Sequence, residues 1–212
     1  MWDFSVKLFL HQFITLVTIL NPIAAASIML PLLPEGDEKA VGVVSRKASL
    51  TVFVASIITL FLGEAIFRVF GINVESIKVI GGIIIMLIAV NMVYGEPKKA
   101  HHTQEENDEA QTKEDIAVVP LGIPILFGPG VIAVLILFND RAHTPGEYLT
   151  SVVAVVASVV VVYLTLYYAA KIDKLLGVTG MKIMTRIMGL ILGAIASQFL
   201  IGGIKGLWHL LH

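Results

Sequence analysis

The feature that most constrains this chain is a series of long apolar runs separated by polar gaps. A helix needs about 20 predominantly apolar residues to cross the hydrocarbon core of a bilayer. Six runs approach or exceed this length, which predicts an all-α membrane protein with six transmembrane helices rather than a soluble protein with six buried helices. The runs cover residues 4–33, 50–70, 77–94, 116–138, 148–170 and 183–200, the last with a tail to residue 211.

The composition agrees with a surface that faces lipid. The chain is 57% hydrophobic and 15% charged, whereas soluble domains carry about 45–50% apolar and about 25% charged residues. The net charge of −1 gives no reason to expect a nucleic-acid partner. The absence of cysteine excludes disulfides, thiolate metal sites and a cysteine nucleophile. We therefore expect the lipid bilayer to be the main environment of this protein.

The chain contains no Walker loop, no HExxH motif and no GxSxG motif. These motifs indicate phosphate binding, zinc-dependent hydrolysis and a serine nucleophile, respectively. The sequence therefore predicts that the protein is not an enzyme, and it predicts no catalytic residue, metal site or cofactor.

Basic residues are distributed unevenly between the two sides of the predicted bundle. The gaps after the first, third and fifth runs contain ten Lys and Arg, whereas the opposite side contains five. Because cytoplasmic loops carry an excess of Lys and Arg, we expect the polar segment 95–115 in the cytoplasm and both termini outside. The ten are Lys39, Arg46, Lys47, Lys98, Lys99, Lys113, Lys171, Lys174, Lys182 and Arg186, and the five are Lys7, Arg68, Lys78, Arg141 and Lys205.

The polar segment divides the chain into two units of three predicted helices, residues 1–94 and 116–212, and the two units resemble each other. An odd number of helices per unit would insert the second unit upside down, which is the usual plan of secondary transporters. The alternative is an old duplication without a transport role. The matching stretches are 78–81 with 186–189, 19–22 with 126–129, and 70–72 with 176–178, at offsets of 108, 107 and 106 positions.

The first and fourth predicted helices each contain a proline near the middle, within Asn21-Pro22 and Gly128-Pro129-Gly130. Proline removes a backbone N–H and clashes with the preceding turn, so we expect both helices to be broken at the bilayer midplane. Backbone groups freed in this way must face protein or a water-lined cavity, because lipid cannot satisfy them. Two breaks at matching positions of the two units are the best sequence pointer to a binding site.

The broken helices also indicate the chemistry of a ligand. The N-terminus of a half-helix suits a carboxylate, and the carbonyls that end the preceding half-helix suit an ammonium group or a cation. The two breaks together would therefore hold a small zwitterion. The residues predicted to bind it are Asn21, Pro22, Ile23, Ala24, Phe127, Gly128, Pro129 and Gly130.

A few further polar residues lie within the predicted helices. Ser27, Asn91 and Gln198 either line a solute pathway or join helices by hydrogen bonds. Glu64 is a candidate proton site because an intramembrane carboxylate is expensive to keep. Its alternative role, which we favour, is that of an interfacial residue near Arg68, four positions later.

Four stretches resemble the MarC family of small integral membrane proteins: NPIAAASIMLPLL from residue 21, IGGIIIMLIAVNMVYG from 80, VPLGIPILFGPGVIAVLI from 119 and RIMGLILGAIASQFLIGGI from 186. The resemblance covers nearly the whole chain. It implies a protein of the inner membrane of a bacterium or archaeon, and similar members are assigned as proton-coupled transporters of glycine and alanine. Family members usually have glycine soon after Asn-Pro where this chain has Ala24.

Two functions from different classes remain open at this point. The first is a secondary transporter of small neutral amino acids, with a proton or another cation as the coupling partner. The second is a channel-like or structural membrane protein that influences stress or drug tolerance without coupled transport. The repeated small residues Gly189, Gly193 and Ser197 fit either internal packing or contact with a second copy of the chain.

Overall fold

The structure is a computed structural model that describes residues 5–34, 36–94 and 117–211. Within these residues the chain forms helices and turns, and no strand. The predicted cytoplasmic segment 95–115 lies outside the described residues. The helices are α1 (Val6–Leu20), α2 (Pro22–Met29), α3 (Glu38–Val69), α4 (Val74–Tyr94), a π-helical segment called here the π segment (Ala117–Leu126), α5 (Pro129–Arg141), α6 (Pro145–Tyr167) and α7 (Ala169–Leu211).

Five helical stretches in the described part of the chain are long and apolar enough to cross a membrane. The fourth of the six predicted helices is not among them. It is divided into the π segment of 10 residues and α5 of 13 residues, so that neither piece alone spans the hydrocarbon core. The five stretches are Val6–Leu32, Glu38–Ile66, Val74–Tyr94, Pro145–Tyr167 and Thr179–Trp208.

The helix that corresponds to the second predicted run, α3, begins much earlier than the sequence predicts. Residues 38–49 are rich in charge and were assigned to a loop, yet α3 starts at Glu38. Ala40, Val44 and Ala48 recur every four residues along this stretch and are buried. That spacing places all three on one helix face, so the first turns of α3 are an amphipathic helix with its polar face outward.

Glycines with positive φ form two of the joints between helices. Gly71 (φ 70°) ends α3, and Gly177 (φ 61°) interrupts α7. Glycine adopts this conformation without a steric penalty because it has no Cβ. These two glycines are the central residues of the stretches 70–72 and 176–178 that match in sequence.

The helices pack in a pattern centred on two pairs, α3 with α6 and α4 with α7. α1 contacts α6, and the π segment contacts α3. α2 contacts both α6 and α7, and α5 contacts both α3 and α4. The short helices α2 and α5 therefore lie inside the bundle, each between two long helices.

Glycines allow α4 and α7 to approach closely. A Cβ placed on Gly189 would lie 3.0 Å from the carbonyl oxygen of Ala89, and one on Gly203 would lie 2.9 Å from that of Glu75. Residues late in α7 thus meet residues early in α4, so the two helices are antiparallel. Without these glycines the two backbones would have to separate.

The outer surface of the bundle is apolar. Side chains such as Leu50, Ile58, Leu87, Leu164 and Ile201 are about half exposed. Contiguous apolar surface of this kind is rare on soluble monomers and is the expected surface of a protein solvated by lipid tails.

We predict that the neighbouring glycines of α7 respond in opposite ways to alanine. Gly203→Ala should lower the free energy of unfolding by about 1–3 kcal/mol, because the new methyl group overlaps α4. Gly202→Ala should raise it by about 0.5–1 kcal/mol through the higher helix propensity of alanine, since a Cβ there meets no atom within 4 Å. Unfolding of the detergent-purified protein, followed by circular dichroism, measures both. Equal effects of the two variants would contradict this packing.

Candidate functional site

The first helix is interrupted at Asn21. α1 ends at Leu20 and α2 starts at Pro22, with Asn21 between them in the left-handed region (φ 45°, ψ 62°). Asn21 is the only non-glycine residue with positive φ in the described part of the chain, a conformation that asparagine tolerates better than most residues. Its backbone N–H donates to the carbonyl of Val17 (3.0 Å), and its side-chain Oδ1 accepts from the N–H of Ala24 (3.4 Å). Asn21 therefore caps both half-helices.

The second interruption lies between the π segment and α5. The N–H of Phe127 donates to the carbonyl of Gly122 (2.9 Å), which is the last wide turn of the π segment. Gly128 is extended (φ −98°, ψ 176°), and α5 starts at Pro129. The carbonyl of Gly128 accepts from the N–H of Val131 (3.0 Å). Proline at the first position of a helix loses no hydrogen bond, because that N–H has no partner within the helix.

Both interruptions lie on the wall of one cavity of about 560 Å³. This volume lies within the usual range of small-molecule sites, about 300–1,000 Å³. The cavity is formed by α1, α2, α4, the π segment, α5 and α7. Its wall consists of Ile19, Leu20, Asn21, Ala24, Ala25, Ser27, Ile28, Ile88, Asn91, Met92, Ile125, Leu126, Gly128, Pro129, Gly130, Val131, Asp173, Met181, Lys182 and Thr185.

The electrostatics of the cavity follow from the ends of the helices around it. α2 and α5 both begin at the cavity, and the N-terminus of a helix carries about half a positive charge and unpaired N–H groups. α1 and the π segment both end there, and the C-terminal end of a helix carries the opposite partial charge on carbonyls that lack a partner within the helix. The cavity therefore lies between partial positive charge, which suits a carboxylate, and partial negative charge, which suits an ammonium group.

Most of the residues predicted from the sequence lie in this cavity wall, and some do not. Asn21, Ala24, Gly128, Pro129 and Gly130 line it, as do Ser27 and Asn91. The Nδ2 of Asn21 donates to the sulfur of Met92 across the cavity at 3.6 Å. The wall does not include Pro22, Ile23, Phe127, Gln198 or Glu64.

Glu64 is held away from the cavity by two partners. Its Oε1 forms an ion pair with the guanidinium of Arg68, as expected from their spacing, and its Oε2 accepts from Nδ2 of Asn139 at 2.8 Å. Asn139 lies on α5, so this carboxylate joins α3 to the end of α5. The interfacial role of Glu64 stays a prediction.

Four residues of α7 that line the cavity were not predicted as site residues: Asp173, Met181, Lys182 and Thr185. From the sequence, Lys182 is expected only as one of the loop charges. The spacing of four between Met181 and Thr185 places both on one helix face, but nothing in the sequence tells which face meets the first helix. The position of Asp173 depends on the bend at Gly177, which a sequence pattern does not reveal.

Residues 6–208 match the MarC family of integral membrane proteins. The chain belongs to the MarC family. It is therefore a membrane protein of a family whose similar members come from bacteria and archaea.

Several curated MarC-like relatives match over nearly their whole length, and each is described as a UPF0056 membrane protein. YvbG of Bacillus subtilis is 34% identical over 204 residues, covering 95% of this chain and 96% of the relative. MJ1677 of Methanocaldococcus jannaschii is 32% identical over 202 residues (95% and 98%), and YhcE of Escherichia coli is 30% identical over 205 residues (97% and 95%). No solved structure matches this MarC-family chain.

Proposed function

We propose that this protein is a secondary transporter of small neutral amino acids, such as glycine and alanine, in the cytoplasmic membrane of a prokaryote. The observation that carries the proposal is that both helix interruptions meet on the wall of one cavity. Discontinuous helices that face each other at a shared cavity are the usual way in which transporters bind solutes with backbone groups.

The chemistry of the cavity favours a small zwitterion. The carboxylate of an amino acid would lie at the positive ends of α2 and α5, and its ammonium group would lie near carbonyls of α1 and the π segment. Ala24 and Gly130 keep the wall around the interruptions free of large side chains. Ala24 stands where family members usually have glycine, and its methyl group narrows the cavity at this point.

Inverted repeats form part of this proposal, and the contacts between helices support them. When α1 is exchanged with the π segment, α2 with α5, α3 with α6 and α4 with α7, the main contacts map onto one another. The contact of α1 with α6 becomes that of the π segment with α3. The contacts of α2 with α6 and α7 become those of α5 with α3 and α4.

Individual residue contacts obey the same exchange. A Cβ on Gly42 would lie 3.7 Å from the ring of Tyr167, and Phe61 stacks on Tyr148 with ring centroids 6.5 Å apart. Adding 106 positions to Gly42 and to Phe61 gives Tyr148 and Tyr167, so the two contacts are images of each other. The offset of 106 is the one that relates residues 70–72 to residues 176–178.

The two images differ where α4 meets α5, and this difference supports an alternating-access mechanism. On one side of the interruptions Ile77, Ala133 and Ile136 are buried in contact with one another, and Gly81 meets Ala133. The corresponding residues, by offsets of 108 and 107, are Thr185, Ala26 and Met29. Thr185 lines the cavity instead of closing it. In the proposed cycle the cavity opens on one side while the matching contact on the other side is closed.

The alternative is a channel-like or structural membrane protein that influences stress tolerance without coupled transport. The buried cluster of Ile77, Ala133 and Ile136 favours the transporter, because a channel needs a path that is open at both ends. A proton or another cation accompanies the solute in our proposal. Glu64 remains the candidate proton site, although it lies outside the cavity wall.

We predict saturable glycine counterflow in proteoliposomes, driven by a pH gradient or a sodium gradient. The double variant Gly128→Val, Gly130→Val should reduce the initial rate by more than about tenfold, a factor equivalent to 1.4 kcal/mol. A Cβ on Gly130 already lies 3.1 Å from Cγ1 of Ile85, so valine side chains would fill the cavity between the interruptions. Radiolabelled glycine under imposed gradients gives the rate.

The matched control is Gly202→Val, which makes the same change on α7 where a Cβ meets open space. This variant should transport at the wild-type rate. Normal flux through the double variant would sink the proposed site, and non-saturable flux without accumulation would point to a channel.

The closed side of the cavity can be tested by cross-linking, because the chain contains no native cysteine. We predict that oxidation of the double variant Ile77→Cys, Ile136→Cys joins α4 to α5 and stops glycine flux, and that a reducing agent restores both. A protease site inserted into segment 95–115 reports the cross-link on a gel, since it lies between the two cysteines.

The image pair is Met29→Cys, Thr185→Cys. It should cross-link only while the protein cycles with glycine, because Thr185 lines the cavity in the state described, whereas its image Ile77 belongs to a buried cluster. Cross-linking of both pairs at the same rate without glycine would contradict alternating access.

A further inference from the structure

Asp173 and Lys182 are the two charged residues on the wall of the cavity described above. Both are exposed, and neither forms an ion pair with the other or with any further residue in the described part of the chain. Thr185 lies one helical turn beyond Met181 on the same wall, with its hydroxyl donating to the Met181 carbonyl at 2.9 Å. We call the exposed part of the wall that holds these two side chains the mouth; it carries one negative and one positive charge, neither of them in an ion pair among the described residues.

The bend at Gly177 is what brings these two charges to one cavity. A continuous helix turns by about 100° and rises about 1.5 Å per residue, so residues nine positions apart point to opposite faces about 13.5 Å apart along the axis. Gly177 departs from helical geometry (φ 61°, ψ 176°) and lies between them. A Cβ at this position would be strained because of the positive φ, although no atom lies within 4 Å of it.

We propose that Asp173 and Lys182 form a charge filter at the mouth of the cavity, which favours solutes that carry both a positive and a negative group. The inference rests on the proposed transport function and adds the residues that determine its specificity. An ammonium group is drawn to Asp173 and a carboxylate to Lys182, so a zwitterion gains from both.

A solute with a single charge gains less at this mouth. It is attracted by one side chain and repelled by the other, and within the Debye length of about 8–10 Å salt does not fully screen either effect. Because the mouth is partly lined by apolar residues such as Ile28 and Met181, the effective dielectric constant is lower than that of bulk water and both effects are strengthened. The pair has no net charge, so it does not favour anions or cations as a class.

Neighbouring charges on the same helix give the comparison that separates a filter from an ordinary polar surface. Lys171 and Lys174 are also exposed, but they do not line the cavity. If the charges near Gly177 served only solubility or interaction with lipid headgroups, neutralising Lys174 would have the same effect as neutralising Lys182.

The experiment measures binding and flux separately. Detergent-purified wild type, Asp173→Asn, Lys182→Gln and Lys174→Gln are titrated with glycine, with glycolate, which lacks the ammonium group, and with ethanolamine, which lacks the carboxylate. The dissociation constants come from ligand-induced shifts in Tm. Glycine uptake by the same proteins in proteoliposomes, with glycolate and ethanolamine as competitors, gives the flux.

We expect the wild type and Lys174→Gln to bind glycine more tightly than either analogue. Asp173→Asn should weaken the binding of glycine and strengthen that of glycolate, so that the ratio of the two dissociation constants changes by about tenfold, as expected for removal of one nearby charge. Lys182→Gln should change the ratio for glycine and ethanolamine by a similar factor, with weaker binding of glycine and tighter binding of ethanolamine. The exchange Asp173→Lys, Lys182→Asp should recover part of the preference for glycine, because both charges are again present.

The two proposals fail in different ways. Zwitterion-selective binding without glycine flux would contradict the proposed transport function but support the charge filter. Selectivity in Asp173→Asn and Lys182→Gln equal to that in Lys174→Gln would overturn the filter even if glycine is transported. A wild type that does not distinguish glycine from its analogues would overturn it as well.

Discussion

The constraint on which this structure depends is the hydrogen bonding of the backbone where two helices are broken inside an apolar bundle. Asn21 and the stretch Gly128-Pro129-Gly130 leave N–H and C=O groups that lipid cannot satisfy, each at a cost of several kcal/mol if left unpaired. The side chain of Asn21 satisfies one of these groups, because its Oδ1 accepts a hydrogen bond from the N–H of Ala24. Both breaks lie on the wall of one shared cavity of about 560 Å³, where water or a solute can supply the missing partners. The cavity is thus a consequence of the two breaks, and the long helices surround it.

The close packing of the long helices keeps this polar cavity inside an otherwise apolar body. α4 and α7 approach through Gly189 and Gly203, whose missing side chains let the two backbones come close together. On one side of the breaks Gly81 lets α4 reach Ala133 of α5, which closes the bundle. On the other side the matching position is open to the cavity and to the charges at its mouth. The same set of small residues therefore supports both a rigid frame and a difference between two ends, which the proposed transport cycle requires.

Local chemistry explains which features the sequence predicted. Proline at positions 22 and 129 makes a continuous helix unfavourable whatever the surroundings, so both breaks were expected and both are present. The helical start of α3 at Glu38 was missed, because a charged amphipathic stretch looks like a loop when only hydropathy is read. The contribution of Asp173 was missed for another reason. It lies on the cavity wall through a single bend at Gly177, and the direction of a bend depends on tertiary contacts that one sequence does not display.

The most direct test of the account asks whether an amino acid occupies the space between the two breaks. In the Ala24→Cys variant of this cysteine-free chain, the new thiol lies on the cavity wall beside Asn21. Its rate of modification by a small water-soluble thiol reagent should fall as glycine is added, while Lys174→Cys, exposed on α7 outside the wall, should react at an unchanged rate. If saturating glycine leaves modification at position 24 as fast as before, or slows both variants equally, the breaks do not form the amino-acid site.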